Sequence, residues 1–70
     1  MKFYVFVTPE QQLQVVNCDN YFLAVLHHKR RANAGDERAR EWLRLLAGAK
    51  LVEAEDALAA KEIYEAFLTN

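Results

Sequence analysis

Apolar side chains run without interruption from Phe3 to Val7, and this stretch is rich in the aromatic and β-branched residues that suit a pleated strand. Gln12-Leu13-Gln14-Val15 then alternates polar and apolar positions, the period of a strand with one face on a core. Between them, Thr8-Pro9-Glu10-Gln11 suits a turn, because proline presets the φ angle at the second turn position. The pattern predicts a β-hairpin with strands over about residues 2–8 and 12–17. A second reading stays open, since Thr8-Pro9-Glu10-Gln11 also satisfies a capping box with proline at the first helical position, which would make residues 9–16 a short helix. The hairpin is preferred, because a two-turn helix carrying Val15-Val16 has little to stabilise it.

Beyond the hairpin the period lengthens. Asn17-Cys18-Asp19-Asn20 is a polar break containing good N-cap residues, and Tyr21 to about Ala34 reads as a helix. Its nearly continuous apolar block Tyr21–Leu26 predicts burial of that half. His27-His28-Lys29-Arg30-Arg31 follows towards the C-terminal end, where cations complement the helix dipole, and Gly35 suits the residue just past the helix. Asp36 is a natural cap for a helix over 37–47, in which Ala39, Trp42, Leu43 and Leu46 form one apolar stripe. Gly48 ends that helix. A last helix is predicted over about 54–68, with Ala60, Ile63, Tyr64 and Phe67 at the same spacing. Residues 50–52, Lys50-Leu51-Val52, suit either a connector or a short third strand. The predicted class is α+β: an N-terminal hairpin packed on three helices, ββααα, as one small domain over residues 1–70.

Composition bounds this picture without changing it. The hydrophobic fraction is 53% and the charged fraction 27%, a folding composition. Cys18 is the only cysteine, so no disulfide can form within the chain, and a reducing compartment is expected. The apolar run near Met1 is too short for a signal peptide, and the longest apolar segment, Tyr21–Leu26, is far below the ~20 residues of a membrane span. A cytoplasmic protein without membrane contact is the expectation.

Charge is distributed unevenly behind a net value of −1. From His27 to Lys50, seven cations face the three carboxylates of Asp36, Glu37 and Glu41; from Leu51 to Asn70, five carboxylates face Lys61 alone. The basic half raises a nucleic-acid reading in which Lys29, Arg30, Arg31, Arg38, Arg40 and Arg44 neutralise phosphates. Against it, the isoelectric point is about 6.1 and no stacking aromatic is interleaved, since Trp42 falls on an apolar stripe.

Catalytic parts are missing from the pattern. Serine is absent, threonine occurs only at Thr8 and Thr69, and with only Gly35 and Gly48 there is no glycine-rich phosphate loop. Adjacent His27 and His28 point about 100° apart on a helix, and zinc-type spacings of histidine or cysteine are absent. No metal, cofactor or small-molecule substrate is expected, and the chain reads as a non-enzyme.

The hairpin carries the functional expectation. Phe3, Val5 and Val7 point to one side of the first strand, Tyr4 and Phe6 to the other. If the helices cover one side only, Tyr4 and Phe6 remain on the outer face, where such side chains act as interface anchors. The expected function is therefore protein–protein interaction, as a homodimer or as an inhibitor-like or subunit-like binder of a larger protein. Nucleic-acid binding through the basic residues is the alternative.

Overall fold

The computed structural model describes residues 1–68. Strands β1 (Lys2–Val7) and β2 (Leu13–Asn17) form the hairpin, followed by helices α1 (Cys18–Asn33) and α2 (Glu37–Ala47), strand β3 (Lys50–Glu53) and helix α3 (Ala57–Leu68). The class is α+β, with the order ββααα interrupted by the short third strand. That strand pairs antiparallel with β1, with Phe3 opposite Val52, and β2 pairs with β1 on the other side, with Val5 opposite Val15. The sheet order β2-β1-β3 makes the first strand the central one.

Residues 9–16 hold no helix. Thr8 and Gln11 close a turn through a backbone bond of 2.8 Å, and the buried Thr8 accepts the Gln12 N–H at its Oγ1 at 3.1 Å. Gln11 takes a φ of 62°, the left-handed conformation that lets the chain reverse into β2.

Three helix boundaries are set by side-chain caps. Asn17 accepts from the Asn20 N–H at 2.8 Å, so α1 starts at Cys18 rather than at the predicted Tyr21. Asp36 accepts from Arg38 and Ala39 at the start of α2. Asp56 accepts from Ala59 at 2.8 Å, and α3 therefore begins at Ala57 rather than near 54; the Ala54 N–H is instead bonded to the Met1 carbonyl beside the sheet. Gly35, with a φ of 98°, makes the left-handed turn between α1 and α2.

The helices divide between the two faces of the sheet. Helix α3 lies on the face of Phe3 and Val5, where Ala60, Val52, Leu13, Val15 and Tyr64 complete a core cluster. Helices α1 and α2 lie on the opposite face and pack on each other, and α3 touches neither. There Tyr4 stacks on Tyr21 with ring centroids 3.8 Å apart, and Phe6 meets Trp42 edge-on at 6.1 Å. Phe6 is consequently only 5% exposed and Tyr4 half-buried. This corrects the expectation of an open hairpin face: the chain's own helices cover both sides of β1.

The predicted stripe of α2 is buried at Ala39 and Leu46, with Trp42 and Leu43 half-buried. The stripe of α3 is buried only at Ala60, because a three-stranded sheet is too narrow to cover the whole helix, and Ile63 and Phe67 stay exposed. The predicted burial of Tyr21–Leu26 fails more fully: α1 has no buried residue at all. Among the described residues, no helix is long and apolar enough to cross a membrane.

Leu46 is 1% exposed, so Leu46→Ala should cost about 2–5 kcal/mol of transfer and cavity energy. Cores of this size supply only ~3–5 kcal/mol net, so urea titration followed by circular dichroism should find the variant largely unfolded. A midpoint close to wild type would remove Leu46 from the core.

Candidate functional site: the outer face of helix α1

The inner flank of α1 is held by polar and aromatic contacts. The Tyr21 hydroxyl donates to the Leu46 carbonyl at 2.7 Å, and burial, then the neighbouring Tyr4, raises its pKa, which keeps the donor proton in place. Two turns further on, the His28 ring stacks on Trp42 with centroids 4.8 Å apart and planes 7° from parallel. At the end of the helix Arg31 forms an ion pair with Asp36 at 2.9 Å, tying α1 to the cap of α2. Tyr21, His28 and Arg31 fall on the side of the helix that meets the rest of the molecule.

A shallow groove of about 240 Å³ lies between the two helices, lined by His27, His28, Arg31, Asp36, Arg38 and Trp42. Its volume falls below the roughly 300–1,000 Å³ of small-molecule pockets. Its charges are already engaged: Arg31 with Asp36, and Arg38 with Glu10 of the hairpin turn. His27 and His28 make a T-shaped ring contact at 5.1 Å rather than converging, and among the described residues no group of three His, Cys, Asp or Glu side chains is placed to hold a metal ion. Cys18 opens α1 half-buried, with its thiol 3.7 Å from the Lys2 carbonyl.

The outer face of α1 is chemically different. Phe22, Leu23 and Leu26 are 60%, 64% and 46% exposed, and at 100° per residue they fall on one stripe. Asp19 lies on the same stripe at its N-terminal end and Lys29 and Arg30 at its C-terminal end. All three are exposed, and none forms an ion pair among the described residues. The helix is thus apolar at the centre of its solvent side and oppositely charged at the two ends.

Other exposed apolar residues are less concentrated. Leu58 sits on one side of α3 and Ile63 and Phe67 on another, and the Phe67 ring carries the Lys50 ammonium 4.8 Å from its centroid. The outer strands are short and the exposed edge strand β3 begins at Lys50 and ends at Glu53, a charged edge that discourages further strand pairing.

The residues expected from sequence are scattered. Phe6 is enclosed and Tyr4 is half-covered between Tyr21 and Phe22. Of the six basic residues, Lys29 and Arg30 lie on the outer face of α1, Arg31 and Arg38 line the groove, and Arg40 and Arg44 share the outer face of α2 with Glu37 and Glu41. Arg40 is 3.6 Å from Glu37. They do not form one continuous patch. Phe22, Leu23 and Leu26 were missed because an unbroken apolar block at a helix start reads as core; the polar spacing of Asp19, Lys29 and Arg30 along the same stripe was the available signal that this side faces solvent.

Comparison with known protein families, curated proteins and solved structures gives no match.

The His28–Trp42 stack has a pH signature. Burial, then His27 and Arg31, lowers the His28 pKa below its ordinary 6.5, against an opposing pull from Asp36, and its buried Nδ1 has no hydrogen-bond partner among the described residues. Below pH 6.5 the unfolded chain takes up a proton that the folded ring resists, so stability is full above that value and falls as the pH drops towards the folded pKa. Asp36 titrates in a separate window, because the Arg31 hydrogen bond holds its pKa below 3.8 and its contribution is lost only in stronger acid. The thermal midpoint should therefore fall between about pH 7 and 5, and His28→Phe, which keeps a ring against Trp42, should flatten that slope. An equally steep slope in the variant would assign the effect elsewhere.

Proposed function

We propose that the protein is a non-enzymatic protein-interaction module whose contact surface is the outer face of α1. The observation that carries this reading is the exposure of Phe22, Leu23 and Leu26 on one stripe of a 16-residue helix that buries none of its own residues. Single exposed apolar residues are ordinary on protein surfaces, but a contiguous group rimmed by charge marks an interaction site. An aromatic residue flanked by two leucines supplies the desolvated centre of such a contact, and Asp19, Lys29 and Arg30 supply a charged rim that sets orientation and encounter rate. The hairpin is replaced as the anchor because its rings are used internally.

Several features support this over the nucleic-acid alternative. Arg31, Arg38 and Arg40 each have a carboxylate partner, which leaves a dispersed set of cations where phosphate binding wants a track. The small groove, with its charges paired, gives no support to a small-molecule substrate. A free Cys18 thiol fits a cytoplasmic setting.

The test separates binding from folding. A photo-crosslinking amino acid at position 22, expressed in the native host, should yield an adduct of discrete mass, whereas the same probe at position 62 on α3 should not. Leu23→Gln/Leu26→Gln should abolish that adduct while changing stability by no more than about 0.5 kcal/mol per site, since glutamine is as good a helix former as leucine and neither position is buried. Absence of any adduct at position 22, or equal labelling at 62, would remove α1 as a contact face.

A further inference from the structure

The outer stripe of α1 is complementary to itself when reversed. Read from N- to C-terminus, it runs from one carboxylate, Asp19, through Phe22, Leu23 and Leu26, to two cations, Lys29 and Arg30. Two such helices side by side in opposite directions, related by a two-fold axis between residues 24 and 25, bring Leu23 of each opposite Leu26 of the other. The same register sets Phe22 against the His27–Leu26 edge and Asp19 against Arg30, with each pairing occurring twice.

From this pattern we propose that the partner of the α1 face is a second copy of this chain, docked through an antiparallel, two-fold α1–α1 contact. The proposal rests on the interaction reading above and names its occupant. Three features of the helix favour it. The charges at the ends are of opposite sign and unpaired among the described residues, so reversal satisfies both, whereas a parallel pair would set Lys29 and Arg30 against their own copies. Antiparallel helices also place the negative end of each dipole beside the positive end of its neighbour, in the same sense as the side chains. Finally, the contact is isologous and therefore closes at two copies, so exposed apolar residues on this face do not propagate into a filament. The face points away from the sheet, because Tyr21 and His28 on the opposite flank hold α1 to β1 and α2. One helix face on each side makes an interface at the small end of the usual range, so the dimer is reversible and concentration-dependent.

Sedimentation equilibrium on the purified full chain tests this, with circular dichroism to confirm that each variant is folded. The wild type should pass from monomer to dimer with rising concentration, and Leu23→Glu should abolish the dimer. Asp19→Arg and Arg30→Asp should each weaken it roughly tenfold, because each turns two attractive end pairs into two repulsive ones. Mixing those two single variants should restore association, since one copy then carries cations at both ends and the other carboxylates at both ends. Loss in each single variant followed by rescue on mixing is specific to the antiparallel register, because in a parallel pair residues 19 and 30 already face their own copies and neither single variant adds a repulsive pair. A chain that stays monomeric up to about 1 mM, or a dimer indifferent to Leu23→Glu, overturns the proposal. So does failure of the mixed variants to associate. Salt-sensitive binding of a duplex oligonucleotide by a monomer overturns it in favour of the phosphate-binding alternative. If the purified chain is monomeric but position 22 still cross-links a heavier protein in cells, self-pairing falls and the interaction face stands; if neither occurs, both fall.

Discussion

A strand that is apolar on both sides must be covered on both sides, and β1 imposes that demand on the rest of the chain. Phe3 and Val5 project to one face of the sheet, Tyr4 and Phe6 to the other, and all four are buried or half-buried. Leaving either pair in water would forfeit on the order of 1.5–3 kcal/mol per large side chain, a serious fraction of what so short a chain can accumulate. The topology answers the demand directly. β2 and β3 flank β1 so that its backbone is paired along both edges, and the helices separate, two to one face and one to the other.

That division has a consequence for the surface. Three layers built from 70 residues leave every outer layer thin, since the fraction of surface a small domain can bury is limited. Helix α2 packs through Ala39, Trp42 and Leu46, an apolar stripe matched to the space available. Helix α1, by contrast, has more apolar residues than its inner flank can use. Tyr21, Ala24, Val25 and His28 meet the molecule half-buried, and Phe22, Leu23 and Leu26 are left outside. The exposed stripe is therefore a product of the same constraint that encloses Phe6: the side chains needed to cover β1 and those that remain uncovered come from one helix.

Much of the architecture was legible in the chain because local signals agreed with tertiary ones. Pro9 marked the hairpin turn, Asp36 and Gly48 bracketed α2 to within the observed ends, and Lys50-Leu51-Val52 suited a short third strand as one of two readings. The face of the hairpin was misjudged for a physical reason. A strand with one wet side alternates, whereas Phe3 to Val7 does not, and an unbroken apolar run is the signature of a strand enclosed on both sides. The run itself thus carried the information that the helices would divide. The end of α1 was misjudged in the opposite direction, since six consecutive apolar residues at a helix start cover all directions around the axis. The block by itself cannot say which half of them faces water; the spacing of Asp19, Lys29 and Arg30 pointed to it, and it is decided by where Tyr4 and Trp42 stand, both contacts distant in sequence.

A helix without a buried residue would ordinarily be a poor platform, because ordering a mobile surface on binding costs free energy that the contact must recover. Here the inner flank removes much of that cost. The Tyr4–Tyr21 stack and the Tyr21–Leu46 hydrogen bond fix the first turns, the His28–Trp42 stack fixes the middle, and the Arg31–Asp36 pair fixes the last turn. These contacts come from β1, α2 and the α2 cap, so rotation of α1 about its axis would break all of them together. The direction in which Phe22, Leu23 and Leu26 project is therefore set before any partner arrives. His28 makes that rigidity conditional, since protonating its ring would place a charge, and an N–H with no acceptor among the described residues, against Trp42 at the middle of the attachment. Presentation of the outer face and the neutrality of one imidazole on the inner face are thereby linked through the same helix.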